Sequence, residues 1–228
     1  MVTTFALDEV AQQYLDDVDF QKTRQNLVQR RDDSIPTFQT ITARFVRGES
    51  NLNTFCNQLQ NVLTSGEDWG ANGFGFMMEL NKLKKYHDEQ GTIAETELRT
   101  VLTNLNASNM GQRIERFYLF LLGERDRLRH EGKSHGMTVS ARNSAFIISL
   151  FTYWLDPTGK PIVYYDSLRK GLYILIKANL LPVPSHLEMG PNTVDVRSDA
   201  DHIACMELVA YMSRQIPQVK IHTYWTLR

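Results

Sequence analysis

Apolar residues recur along this chain at helical spacing almost from end to end. From Phe5 to Arg31 the positions Phe5, Val10, Tyr14, Leu15, Val18, Leu27 and Val28 alternate with acids and glutamines, which predicts one long helix. Asp8 and Glu9 near its start and Arg30-Arg31 near its end complement the helix macrodipole. Asp32-Asp33-Ser34-Ile35-Pro36 reads as a break, because proline has no amide proton to continue a helical ladder. A second helix follows on Phe38, Ile41, Phe45 and Val46 and stops at Gly48. A third runs from Asn51 to Leu63, capped by Ser50 or Asn51, with Leu52, Phe55, Leu59, Val62 and Leu63 inward. A glycine-rich stretch, Trp69-Gly70-Ala71-Asn72-Gly73-Phe74-Gly75, then opens a helix carrying Phe76, Met77, Leu80 and Leu83.

Two more helical faces cover 93–105 and 110–129. The most apolar text lies between Ser144 and Lys177, where two helical patterns flank the turn Asp156-Pro157-Thr158-Gly159-Lys160-Pro161. Residues 179–197 are punctuated by proline and glycine and read as loop, with Thr193-Val194-Asp195-Val196 as a short extended piece. A last helix runs from a cap at Asp199 or Asp201 to Gln215, and Pro217 to Trp225 forms a short strand or a final helical turn. There is no internal repeat or low-complexity segment. The pattern predicts an all-α fold, one domain over 1–228 with about nine or ten helices and one short extended segment near the C-terminus.

Composition narrows the class. The chain has 228 residues, 42% hydrophobic and 22% charged, with a formal net charge of −1. That is globular composition with ample core, and it excludes nucleic-acid binding through bulk positive charge. Charge is uneven all the same. Between residues 110 and 142, Arg113, Arg116, Arg125, Arg127, Arg129, Lys133 and Arg142 outnumber the four acids, whereas the first 34 residues hold seven acids against four bases. This points either to a basic pole or to a solvated, salt-bridged helix. Two distant cysteines, Cys56 and Cys205, give no disulfide framework. The longest apolar run is too short to span a bilayer, and the N-terminal text is not that of a signal peptide. The expectation is a cytoplasmic protein without a membrane partner.

Candidate chemistry is sparse. His130 with His135, and His202 with Cys205, have ligand-like spacings but no further ligands nearby, so no metal and no cofactor is expected in this chain. Cys56 and Cys205 sit among apolar residues, where a thiol is inert. The glycine-rich stretch lacks the lysine of a Walker loop and a preceding strand, so its glycines read as room for a tight aromatic turn rather than as a phosphate cradle. No catalytic residue emerges. Asp156 and Asp166 flank the central turn, and Asp166 beside Arg169 reads first as a helix cap or ion pair.

Several segments resemble the helical N-terminal region of AAA+ ATPases related to the McrB-type subunit of modification-dependent restriction systems. They are Trp69-Gly70 with Gly73 to Leu83, and Phe146 through Asp156-Pro157 to Lys160-Pro161-Ile162-Val163-Tyr164-Tyr165-Asp166-Ser167-Leu168-Arg169-Lys170-Gly171-Leu172; the resemblance covers about half of the chain. It implies a non-catalytic module of an antiviral defence system that recognises DNA, modified or not, beside a fused AAA+ motor or a nuclease subunit, with any oligomer formed through the motor. Arg125, Arg127, Arg129, Lys133, Lys160, Arg169 and Lys170 would then contact phosphate. Trp69, Phe74, Tyr164, Tyr165 and Asp166 would line a base pocket, with core packing as the leading competing role of most of the aromatic rings. The alternatives are an assembly domain without DNA affinity, or a small helical DNA glycosylase-like enzyme with Asp166 as its carboxylate, although the turn lacks that pattern's Gly-x-Gly core.

Overall fold

The computed structural model describes residues 9, 11–12, 15–64, 70–133 and 139–216. Among these are eight α-helices and one two-stranded antiparallel sheet, so the fold is all-α. The helices are α1 (Val18–Val46), α2 (Leu52–Thr64), α3 (Gly70–Gln90), α4 (Ile93–Leu102), α5 (Met110–His130), α6 (Ser144–Leu155), α7 (Asp166–Lys177) and α8 (Asp199–Gln215). The strands β1 (Glu188–Met189) and β2 (Val194–Asp195) pair between α7 and α8. The expected extended piece is thus one half of a hairpin. Pro217 to Trp225 lies outside the described residues.

Helix α6 is the axis. Ten of its twelve residues are buried, and it packs chiefly on α5 and α1. Trp154 stacks on Phe38 of α1 at 4.0 Å, and Phe76 of α3 meets Phe151 and Trp154 edge-on. Such offset and T-shaped pairs add about 0.5–1.5 kcal/mol each to the apolar burial. The side-chain amide of Gln39 donates to the Trp154 carbonyl at 3.0 Å, satisfying one of the orphan acceptors at the end of α6.

The expected break at 32–36 does not occur: α1 continues through Pro36. Arg31, Ile35, Phe38, Thr42 and Phe45 form one buried stripe across it, while Pro36 itself faces solvent. The hydrogen bond that proline forfeits therefore lies on the water side, and tertiary packing outweighs the local penalty. The glycines at 70, 73 and 75 also depart from expectation. They belong to α3 rather than to a loop before it.

Helix ends are held by identifiable groups. Asn51 caps α2, its Oδ1 accepting from the Thr54 amide at 2.9 Å. Glu95 of α4 accepts from the Leu52 amide at 2.8 Å, and Arg99 donates to the carbonyls of Phe45 and Ser50, so one ion pair closes both the end of α1 and the start of α2. The cap of α8 is Ser198, not Asp199 or Asp201. Its hydroxyl accepts from the Asp201 amide while the Asp201 carboxylate accepts from the Ser198 amide, a complete capping box.

Candidate nucleic-acid interface

The basic segment at the end of α5 pairs with acids of its own chain while Arg129 and Lys133 stay exposed. Arg127 donates to Glu124 at 2.9 Å, to Glu131 at 2.5 Å, to the Tyr86 hydroxyl at 3.2 Å and to Gln90 at 3.1 Å. Tyr86, on α3, in turn donates to Glu124. Arg125 and Arg129 share Asp126, at 3.2 and 3.6 Å, and Lys133 lies 2.7 Å from Glu131. These bonds tie α3 to α5 and place an acid against every cation of the segment. The helix is salt-bridged, as one of the two sequence readings expects, and a phosphate at its half-exposed cations would compete with those acids. The Glu124, Tyr86 and Glu131 bonds raise the Arg127 guanidinium above its ordinary value, while burial and Glu124 push the Tyr86 phenol up to about 12.

The central turn is likewise a strut. Asp156 accepts from the amides of Ala107 and Gly159, at 2.9 and 3.1 Å, and from the Thr158 hydroxyl at 3.1 Å. The Ala107 amide is the leading reason why the carboxyl titrates below its usual range. The turn is docked on the loop between α4 and α5. The Gly159 amide, which a hairpin of the phosphate-binding kind would offer outward, is consumed by Asp156. A Cβ at Gly159 would meet Ala107 Cβ at 2.5 Å, so this glycine serves close approach. Lys160 follows in the left-handed region, at φ 48°, with its side chain exposed.

Three candidates from the central stretch are core residues. Tyr164 and Tyr165 are 0% and 6% exposed, and the Tyr164 hydroxyl lies 2.6 Å from His202 Nδ1. Neither ring is presented to an extruded base. Arg169 is 4% exposed and donates to the Val194 carbonyl at 3.0 Å and to Asp195 at 2.9 Å. It positions the hairpin instead of meeting phosphate. Asp166 is exposed at the start of α7, 3.7 Å from Arg169 and 4.0 Å from Lys170. It forms the expected ion pair, while Tyr165 occupies the cap position without a side-chain bond. Trp69 and the side chain of Phe74 lie outside the described residues.

Sequence reasoning missed the group that mounts α7. Asp195, 3% exposed on β2, accepts from Arg169 of α7, from Arg142 ahead of α6 at 3.1 Å and from Arg197 at 2.7 Å. Burial works to raise its pKa, but the Arg197 and Arg142 bonds and the Arg169 charge outweigh burial and hold the carboxyl below its usual value. Gly190 packs on this cluster, where a Cβ would come within 3.2 Å of Arg142 and 3.3 Å of Asp195. Helix α7 thus stands on an ionic knot around a buried carboxylate. Its inner stripe is Leu168, Arg169, Leu172, Leu175 and Ile176, and its outer stripe is Ser167, Lys170, Ile174 and Lys177. Lys170 reaches Asp166 at the outer limit of an ion pair, and Lys177 lies 5.6 Å from the Tyr173 ring centroid.

No family model matches the chain. Neither a curated protein nor a solved structure matches it either. The chemistry must therefore be judged from the residues. Burial raises both Cys56 and Cys205 to about 12, which leaves the thiols protonated and unreactive. Among the described residues no three of His, Cys, Asp and Glu group to hold a metal ion, and no helix is long and apolar enough to cross a membrane.

Proposed function

We propose that this chain is a non-catalytic DNA-recognition module of a restriction-type defence ATPase system, and that it meets DNA through the outer stripe of α7. One observation carries the reading. Of the two candidate cationic segments, the α5 cations hold acids at 2.5–3.6 Å, whereas on the exposed face of α7, led in by Lys160 and backed by the β1–β2 hairpin, Lys170 reaches Asp166 only at 4.0 Å and Lys177 rests on Tyr173. An exposed helix with a small hairpin behind it has the dimensions to enter a major groove. Ser167 supplies a hydroxyl for a base edge or phosphate, and Ile174, 62% exposed, an apolar contact of the kind that reads a thymine methyl. Three lysines predict weak binding with modest salt dependence, a log–log slope of about −2 to −3. A partner motor or nuclease would supply the remaining affinity and the chemistry.

The test is fluorescence anisotropy with modified and unmodified duplexes at two salt concentrations. Binding that weakens with salt along that slope supports the reading. Absence of binding at low salt sinks it and leaves the assembly-domain alternative. Base release from the duplex would instead point to the glycosylase-like alternative.

A further inference from the structure

A second polar cluster lies behind the entrance to α7, and the DNA reading makes no use of it. The segment 161–165 is buried throughout, and Tyr164 points its hydroxyl at His202 of α8. His202 is 8% exposed and Cys205, one turn further along α8, is 0% exposed. On the other side α5 closes the site, since a Cβ at Gly111 would meet His202 Cδ2 at 2.9 Å and Asp199 Oδ1 at 2.0 Å.

The protons of this cluster fix its direction. Burial holds the Cys205 thiol and the Tyr164 phenol well above their ordinary values, so each keeps its proton at neutral pH. The phenol therefore donates to Nδ1 of a neutral imidazole. Protonating His202 turns Nδ1 into a donor facing a donor. The phenol must then turn its proton away from the ring, inside a space already closed by α5.

We infer that Tyr164 and His202 form a proton-sensitive latch, closed at neutral pH and opened by acid, that fastens α8 to the segment feeding α7. The charged groups around it pull both ways. On α8, Asp199 favours the imidazolium, while Asp201 is engaged by Ser198 and by the Arg197 amide. On α5, Glu115 accepts from the Asp199 amide at 3.1 Å, and on α7, Arg169 sits near enough to Cys205 to lower its pKa slightly against burial. Burial outweighs Asp199 and sets His202 below the ordinary 6.5. The sign follows from that depression. Stability from the neutral histidine is present above the unfolded value and is lost as pH falls below it.

Two measurements on the full chain decide this. NMR titration of the His202 ring should give a midpoint below 6.5; a midpoint at or above that value overturns the inference. Hydrogen exchange, corrected for intrinsic rates, should accelerate in α8 between about pH 7.5 and about pH 5 and stay unchanged in α2, and His202→Gln should abolish the acceleration. Equal acceleration in the variant, or equal acceleration of α2, overturns it as well. If His202→Gln does not fold, the ring titration of the unaltered chain still decides.

Discussion

Arg127 on α5 and Lys177 on α7 are both basic residues in the last turn of a helix, where the macrodipole favours them, yet they do different work. Arg127 gathers Glu124, Glu131, Gln90 and Tyr86 around itself and binds α3 to α5. Lys177 stands on an outer stripe and rests on its own neighbour Tyr173. The number of basic residues in a segment therefore says little about the field it presents. What matters is how many acids the fold brings to each. The α5 segment is rich in arginine and interleaved with acids three and four residues away, which is the spacing at which helix neighbours neutralise each other. The outer stripe of α7 carries fewer cations, and its inward arginine is diverted to Asp195.

The strongest way to break this contrast is to remove the mount of α7. Asp195→Ala strips the acceptor from three guanidiniums, two of them within a buried or half-buried setting, and should cost about 3–5 kcal/mol in urea unfolding. A loss under 1 kcal/mol would mean that the knot does not hold the helix. The pH dependence has a definite sign here: with its pKa depressed, Asp195 contributes stability that is present above the ordinary 3.8 and disappears as pH falls through the folded value. Next in size is Gly159→Ala, which drives a methyl into Ala107 and Asp156 and should cost about 1–3 kcal/mol. A neutral result would show that the turn can move, and would reopen its amides as a phosphate cradle.

Smaller effects sharpen the comparison further. Arg127→Ala should lower stability by about 0.5–1 kcal/mol, since its partners are partly solvated, and should leave DNA affinity unchanged. Lys170→Gln with Lys177→Gln should do the opposite, shifting stability by no more than about 0.5 kcal/mol while weakening DNA binding. Thermal unfolding and anisotropy on the same two preparations test both halves.

Much of the helical framework was legible because the apolar spacing is strong. The run from Ala145 to Leu155 predicts α6 almost to the residue, and the Asp156-Pro157 turn predicts where it stops. Pro36 misled because a local rule was applied without knowing which face of α1 the proline occupies. The cap at Ser198 was obscured by Asp199 and Asp201, both good capping residues, and the competition was settled by a side-chain exchange visible in three dimensions. The candidate site was less legible for a related reason. Arg169 and Asp195 are 26 residues apart, and a lone aspartate in a loop gives no sign that three arginines will converge on it. Tyr164 and Tyr165 follow Ile162 and Val163 in a short apolar run, where core packing competes with a base pocket, and both rings are buried. Lys177 was overlooked because it closes an apolar helix and carries no motif of its own.

The proposal that α7 rather than α5 meets DNA is tested most directly by a paired salt titration. The slope of log affinity against log salt would be measured for the unaltered chain, for Lys170→Gln with Lys177→Gln, and for Arg125→Gln with Arg129→Gln. The account predicts that the slope falls by about 2 in the lysine variant and stays the same in the arginine variant. A slope that falls in the arginine variant and persists in the lysine variant would contradict it.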